Sequence, residues 1–133
     1  AAVGTALKAT TGKDTNLVNL EGIGRMSDEF DVSRTVGWFT ILYPTLIDAS
    51  GDLGSIIVNT KAMLRSVPEK GLGYGAMAQA GHVEDKLARV VFNYLGQLGS
   101  NDKDWSLLVK ESGEVIGEGN HDPRFSVEIN GAV

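Results

Sequence analysis

The run Thr35 to Ile47, TVGWFTILYPTLI, most constrains how this chain folds. Its aromatic and β-branched residues are those of a strand, stopped at Pro44 or soon after. Its apolar character is nearly continuous, which predicts a strand covered on both faces. Just upstream lies NLEGIGRMSDEFDVSR, which holds Glu21 between apolar residues and glycines, followed by Arg25 and Arg34. The run therefore reads as a wall, and the segment before it as a place where chemistry is conceivable.

The other elements follow from local signals. Ala2 to Lys8 is Ala-rich and reads as a helix closed by Thr10-Thr11-Gly12. Leu17, Val18 and Leu20 mark a strand over Thr15 to Glu21. Ser27 to Asp31 is an acidic loop, and Asp48 to Gly54 another loop. Leu53 to Val67 is the clearest helix: Ile56, Ile57, Thr60, Met63, Leu64 and Val67 fall on one stripe, Asp52 is its N-cap and Pro68 its stop. A short helix is expected over Tyr74 to Ala80, with strands over Ala88 to Gly96, Trp105 to Val109 and Phe125 to Ile129. A polar, Gly-rich connection spans Ser112 to Asp122. The order α-β-β-α-β-β-β predicts an α/β (α+β) fold, a mixed β-sheet with helices packed on it.

No linker divides the 133 residues, so residues 1–133 are expected to form one domain. With 42% hydrophobic and 22% charged residues, the chain has the composition of an ordinary globular protein. A net charge of −5 argues against a nucleic-acid surface and against docking on an anionic membrane. No apolar run reaches the roughly 18 residues of a membrane span. The first residues do not have the pattern of a basic-then-apolar signal sequence, and a cytoplasmic location is expected. The absence of cysteine excludes disulfides, thiolate metal sites and a cysteine nucleophile. The chain opens on Ala1-Ala2 without an initiator Met, as a processed or cut piece would.

Glu21 is the foremost candidate for chemistry. Gly22 and Gly24 beside it would let a substrate come close, and apolar surroundings would raise its pKa toward that of a general acid or base. Residue type alone leaves a second reading open: a structural carboxylate paired with Arg25 or Arg34. His82 and His121 each stand alone in a polar loop, without a second ligand at metal spacing, and read as surface residues; no metal site is expected. No nucleophile-elbow pattern supports a Ser-His-Asp site. Gly71-Leu72-Gly73-Tyr74-Gly75 lacks both the GK[ST] of a P-loop and a clear preceding strand, so it reads as a turn into a short helix. By alternation Asn93 faces opposite Phe92 and Tyr94.

In order, LEGIGRM, SRTVGWFTILYP, VPEKGLGYG and VVFNYLGQLG resemble four consecutive motifs of the epimerization domains of non-ribosomal peptide synthetases, within the condensation-domain superfamily. The family patterns read approximately EGHGRE, RTVGWFT with a proline a few residues on, P-x-K-G-x-G-Y-G, and FNYLGQ. ALKATTGKDTNLVNLEG resembles the helix-turn-strand before the first motif, and FSVEINGAV the strand after the last. The likeness runs nearly end to end. It implies part of the C-terminal lobe of a chloramphenicol-acetyltransferase-like condensation/epimerization fold.

The resemblance also implies an activity. Such domains invert the α-carbon of an aminoacyl or peptidyl thioester held on the 4'-phosphopantetheine arm of a carrier protein. By this likeness Glu21 is the catalytic acid/base, Arg25 matches the motif arginine, and Asn93 and Tyr94 are substrate-binding or supporting residues. No cofactor is implied on this chain itself. Two positions depart from the pattern: Ile23 stands for the motif histidine and Met26 for its last glutamate. The family's histidine motif, HHxxxDG, belongs to the first lobe and does not occur in this sequence. Three expectations follow: no activity in isolation, a carrier protein and the N-terminal lobe as partners, and self-association of an isolated lobe through apolar surface and open strand edges. A non-catalytic carrier-binding or scaffolding lobe and a condensation-type acyl transferase are the alternatives.

Overall fold

The computed structural model describes residues 1–25, 31–96 and 122–132. Helix α1 spans Ala2–Thr11, strand β1 Thr15–Ile23, β2 Thr40–Asp48, helix α2 Leu53–Ser66, α3 Tyr74–Gln79, β3 Val90–Tyr94 and β4 Val127–Gly131. The strands form one mixed sheet in the order β2-β1-β3-β4. β1 and β2 are antiparallel, from Thr15↔Asp48 to Ile23↔Thr40; β3 runs parallel to β1 and β4 parallel to β3. This is the mixed sheet with packed helices that the sequence predicts.

Local chemistry sets the helix ends. Gly12 closes α1 in the left-handed region (φ 69°), and its N–H returns to the Lys8 carbonyl. The Asp52 carboxylate accepts the Ser55 N–H at 2.7 Å and opens α2. Pro68 forces Val67 to extended backbone (φ −65°, ψ 117°), which ends α2 at Ser66. A 3₁₀ turn, Pro68–Gly71, then reverses the chain toward α3, with Glu69 (φ 45°), Lys70 (φ 51°) and Gly71 (φ 91°) all left-handed.

The two faces of the sheet differ. Val18, Leu20 and Ile47 form the buried core on one face, with Val3 and Leu7 of α1, Met63 of α2, and Tyr43, Val90 and Phe92 packed against them. α1 comes so close that a Cβ at Gly4 would lie 2.6 Å from Ile47 Cγ2. On the other face Asn19 is wholly buried. Its Nδ2 donates to the Ala88 carbonyl and its Oδ1 accepts the Ala88 N–H, both at 2.8 Å, which ties the segment before β3 across that face. Asn19→Ala is expected to destabilise the fold by about 2–6 kcal/mol, since two backbone groups of Ala88 lose their partner at about 1–3 kcal/mol each. A lower urea midpoint at an unchanged slope is the expected measurement.

The Thr35–Ile47 expectation needs correction. The strand begins only at Thr40, and Val36 and Trp38 are 99% and 92% exposed. The cause is Arg25: its Nη1 donates to the carbonyls of Val32 (2.9 Å) and Thr35 (2.8 Å), and its Nη2 donates to that of Gly37 (3.2 Å). Carbonyls gathered around one guanidinium are not extended into a sheet. Among the described residues β2 is moreover an edge strand, with Leu46 exposed, so it is not covered throughout. The α2 stripe is narrower than its pattern, with Ile56 buried and Ile57 and Leu64 exposed. β3 is shorter at both ends than Ala88–Gly96, and β4 starts at Val127, two residues past the buried Phe125. The strand expected at Trp105–Val109 and nearly all of the Ser112–Asp122 connection and the Ser27–Asp31 loop lie outside the described residues.

Candidate functional site

Glu21 lies near the end of β1, opposite Leu42 of β2. On the other side Asn19 pairs with Val91 and Leu20 with Phe92. The β1–β3 pairing ends there, and Asn93 pairs with Asn130 of β4. By alternation Leu42, Glu21, Asn93 and Asn130 share the sheet face of Asn19 and Val91. The row one residue back, Tyr43, Leu20, Phe92 and Ile129, points to the opposite, helix-covered face. The sheet carries this apolar row toward α1 and α2.

The Glu21 carboxyl is half-buried, and its pKa is pushed up, first by burial and then by the negative charge of Glu128. Glu128 shares its face, because it pairs with Val91 and Val91 with Asn19. No described residue forms a hydrogen bond or ion pair with the Glu21 side chain, which sets aside the arginine-paired reading among the described residues. A raised folded pKa means that the folded state holds the Glu21 proton more tightly than the unfolded chain does. Its stabilising contribution is full below the unfolded value and is lost as pH rises through the folded one. Glu128→Gln removes the like charge, so the Glu21 titration is expected to move to lower pH, readable by carboxyl NMR.

The other sequence candidates divide. Tyr94 lies by alternation on the face opposite Asn93, where it lines an apolar cavity of about 500 Å³ with Leu20, Tyr43, Met63 and Phe92; Glu21 borders the same cavity. Arg25 is turned away from Glu21. Its guanidinium clamps the 32–37 loop and stacks 3.9 Å over the Phe39 ring, so it supports the loop. Gly22 and Gly24 are not openings for a substrate: a Cβ at Gly22 would meet Ile41 at 3.2 Å, and one at Gly24 would meet Ile41 and the Phe39 carbonyl at 2.9 Å. They admit the chain's own neighbours, and the Gly24 N–H donates to that Phe39 carbonyl at 2.6 Å. His82 is exposed, and His121 lies outside the described residues. Among the described residues no group of three His, Cys, Asp or Glu is placed to hold a metal, and no helix is long and apolar enough to cross a membrane. Sequence reasoning missed Glu128 and Asn130. The alternation in Phe125–Asn130 was the available signal, since it puts both on one face of the last strand.

A family model described as "Condensation domain" matches residues 1–133. The chain belongs to the condensation domain family. This condensation-family chain is 44% identical over 111 residues to a plipastatin synthase polypeptide of Bacillus subtilis (strain 168), covering 77% of the chain and 4% of that protein. It is 37% identical over 139 residues to bacitracin synthase 3 of Bacillus licheniformis, covering 97% of the chain and 2% of that protein. Among solved structures it is similar to the epimerization domain from the third module of tyrocidine synthetase B, with 37% identity and a TM-score of 0.63 over 74% of this chain and 25% of that one. The chain therefore spans a few hundredths of the length of these curated relatives and a quarter of the solved chain. Its mixed four-stranded sheet with helices matches part of a condensation/epimerization domain.

Proposed function

We propose that this chain is most of the C-terminal lobe of an epimerization domain of a peptide synthetase, residues 1–133 forming one unit, with Glu21 as its acid/base. The observation that carries the proposal is the Glu21 carboxyl itself: half-buried, raised in pKa, unpaired by any described residue, and on the same sheet face as Asn93 by alternation. The likeness to a solved epimerization domain supports it. The substrate is an aminoacyl or peptidyl thioester on the 4'-phosphopantetheine arm of a carrier protein. The thioester acidifies the α-proton. The Glu21 carboxylate takes that proton, the C–H electron pair moves to the thioester carbonyl, and the Asn93 amide donates to the enolate oxygen; return of a proton to the opposite face inverts the centre. A raised carboxyl pKa suits the abstraction, since it makes the carboxylate a stronger base, and the proton returned to the opposite face comes from a second acid on the N-terminal lobe.

The partners under this proposal are the carrier protein and an N-terminal lobe bearing the histidine motif, in a cytoplasmic synthetase, with no role for nucleic acid or membrane and no cofactor held by this chain. Ile23, in the motif histidine's place, is on the Glu21 face and 68% exposed. It leaves Glu21 without that polar neighbour, which favours a non-catalytic carrier-binding lobe as the second reading. The family match itself leaves a condensation-type acyl transferase as the third.

Deuterium wash-in at the α-carbon of an aminoacyl-carrier thioester tests the assignment. Exchange is expected when a first lobe is supplied and not from this chain alone. No exchange with both lobes present sinks the epimerase assignment. The isolated chain is expected to self-associate through exposed Val36, Trp38 and Ile23 and its open strand edges. Sedimentation showing a compact monomer overturns that expectation.

A further inference from the structure

The sheet is split at the end that carries Glu21. The β1–β3 pairing stops at Leu20↔Phe92, whereas β1 stays paired with β2 to Ile23↔Thr40 and β3 with β4 to Tyr94↔Gly131. Beyond Leu20 and Phe92 the sheet is two ribbons, with Glu21 on one and Tyr94 on the other. The apolar cavity of about 500 Å³ sits at this fork. Leu20 and Glu21 line it from one ribbon, Phe92 and Tyr94 from the other. Glu21 belongs by alternation to the opposite face and still borders the cavity, because the gap between the ribbons leads through the sheet.

The lining suits hydrocarbon. Met63 and Leu64 of α2 close it, and Thr60 there spends its hydroxyl on the Ile56 carbonyl at 2.7 Å. Its other polar side chains are the neutral phenols of Tyr43 and Tyr94 and the Glu21 carboxyl. Three groups leave the α-carbon of an aminoacyl or peptidyl thioester: the nitrogen, the thioester carbonyl and the side chain. Burying either of the first two against hydrocarbon costs free energy, whereas burying an apolar side chain gains it. An acidic side chain would meet the like charge of Glu21. A basic one would pair with the carboxylate that has to take the proton.

Resting on the assignment of Glu21 as the acid/base, we infer that this cavity is the pocket for the side chain of the residue being inverted, so that the site selects a bulky apolar side chain, branched aliphatic or aromatic. The fork lets that side chain pass between the ribbons while the α-carbon stays at the Glu21 carboxyl.

Deuterium wash-in at the α-carbon tests this in the two-lobe domain, with leucyl-, phenylalanyl-, alanyl-, glutamyl- and lysyl-carrier thioesters. The leucyl and phenylalanyl groups are expected to exceed alanyl in kcat/KM by about tenfold to a hundredfold, and glutamyl and lysyl to fall below it. Leu64→Trp, which fills the cavity from α2, is expected to shrink the leucyl-to-alanyl ratio by at least about fivefold. Methyl NMR on this chain reads occupancy directly. A leucyl pantetheine amide is expected to shift Leu64 and an alanyl one to leave it in place. Neither should move Met77, which lines a different cavity. Equal exchange of all five groups, or a silent Leu64 beside a responsive Glu21, overturns the pocket and leaves the Glu21 assignment standing. No exchange of any group overturns both.

Discussion

Glu21→Gln is expected to lower α-carbon deuterium exchange by at least about a hundredfold in the two-lobe domain, the usual scale of a lost general base. The amide keeps the carboxyl's shape but cannot take a proton. Because burial and Glu128 raise the Glu21 pKa, exchange in the parent protein is expected to rise with pH through that raised value, as the carboxylate forms. The fold is expected to behave in the opposite sense. Above its folded pKa an ionised, half-buried Glu21 is a liability, so the glutamine variant's melting temperature at neutral pH should equal or exceed the parent's. Exchange lost with stability retained assigns chemistry to Glu21. Exchange lost together with a lowered melting temperature assigns it a structural part, and undiminished exchange removes it from the mechanism.

Gly71→Ala is expected to be among the most damaging single substitutions to the fold. Gly71 sits at φ 91°, and a Cβ there would fall on the Tyr43 ring, which packs against the core. Left-handed strain of about 1–3 kcal/mol and overpacking of about 1–3 kcal/mol act together, giving roughly 2–6 kcal/mol. Gly75, inside α3 with nothing within 4 Å of its Cβ direction, is the control. Gly75→Ala should be neutral or stabilising by up to about 1 kcal/mol, since alanine is the better helix former. Urea unfolding of the two variants decides it: equal midpoints would show that the Tyr43 contact does not limit the turn.

Elements closed by their own residues were legible from the sequence. Asp52 and Pro68 bound α2 and Gly12 closes α1, because a cap or a proline acts within a few residues and carries its signal locally. Period-two alternation likewise puts Asn93 opposite Tyr94 without reference to any partner strand. For Glu21 the residue type left a base and a structural carboxylate both conceivable, and only the motif resemblance chose between them.

Tertiary structure decided the rest, because the deciding contacts join residues far apart in the chain. TVGWF has the composition of a strand, yet Arg25 takes the carbonyls of Thr35 and Gly37 and holds them as a loop. Gly22 and Gly24 suggested room for a substrate, and Ile41 and Phe39 fill it. Alternation says which residues of one strand share a face but not which residue of another strand stands beside them. Pairing β1 with β3 across some seventy residues puts Val91 beside Asn19, and the separate pairing of β3 with β4 puts Asn130 beside Asn93.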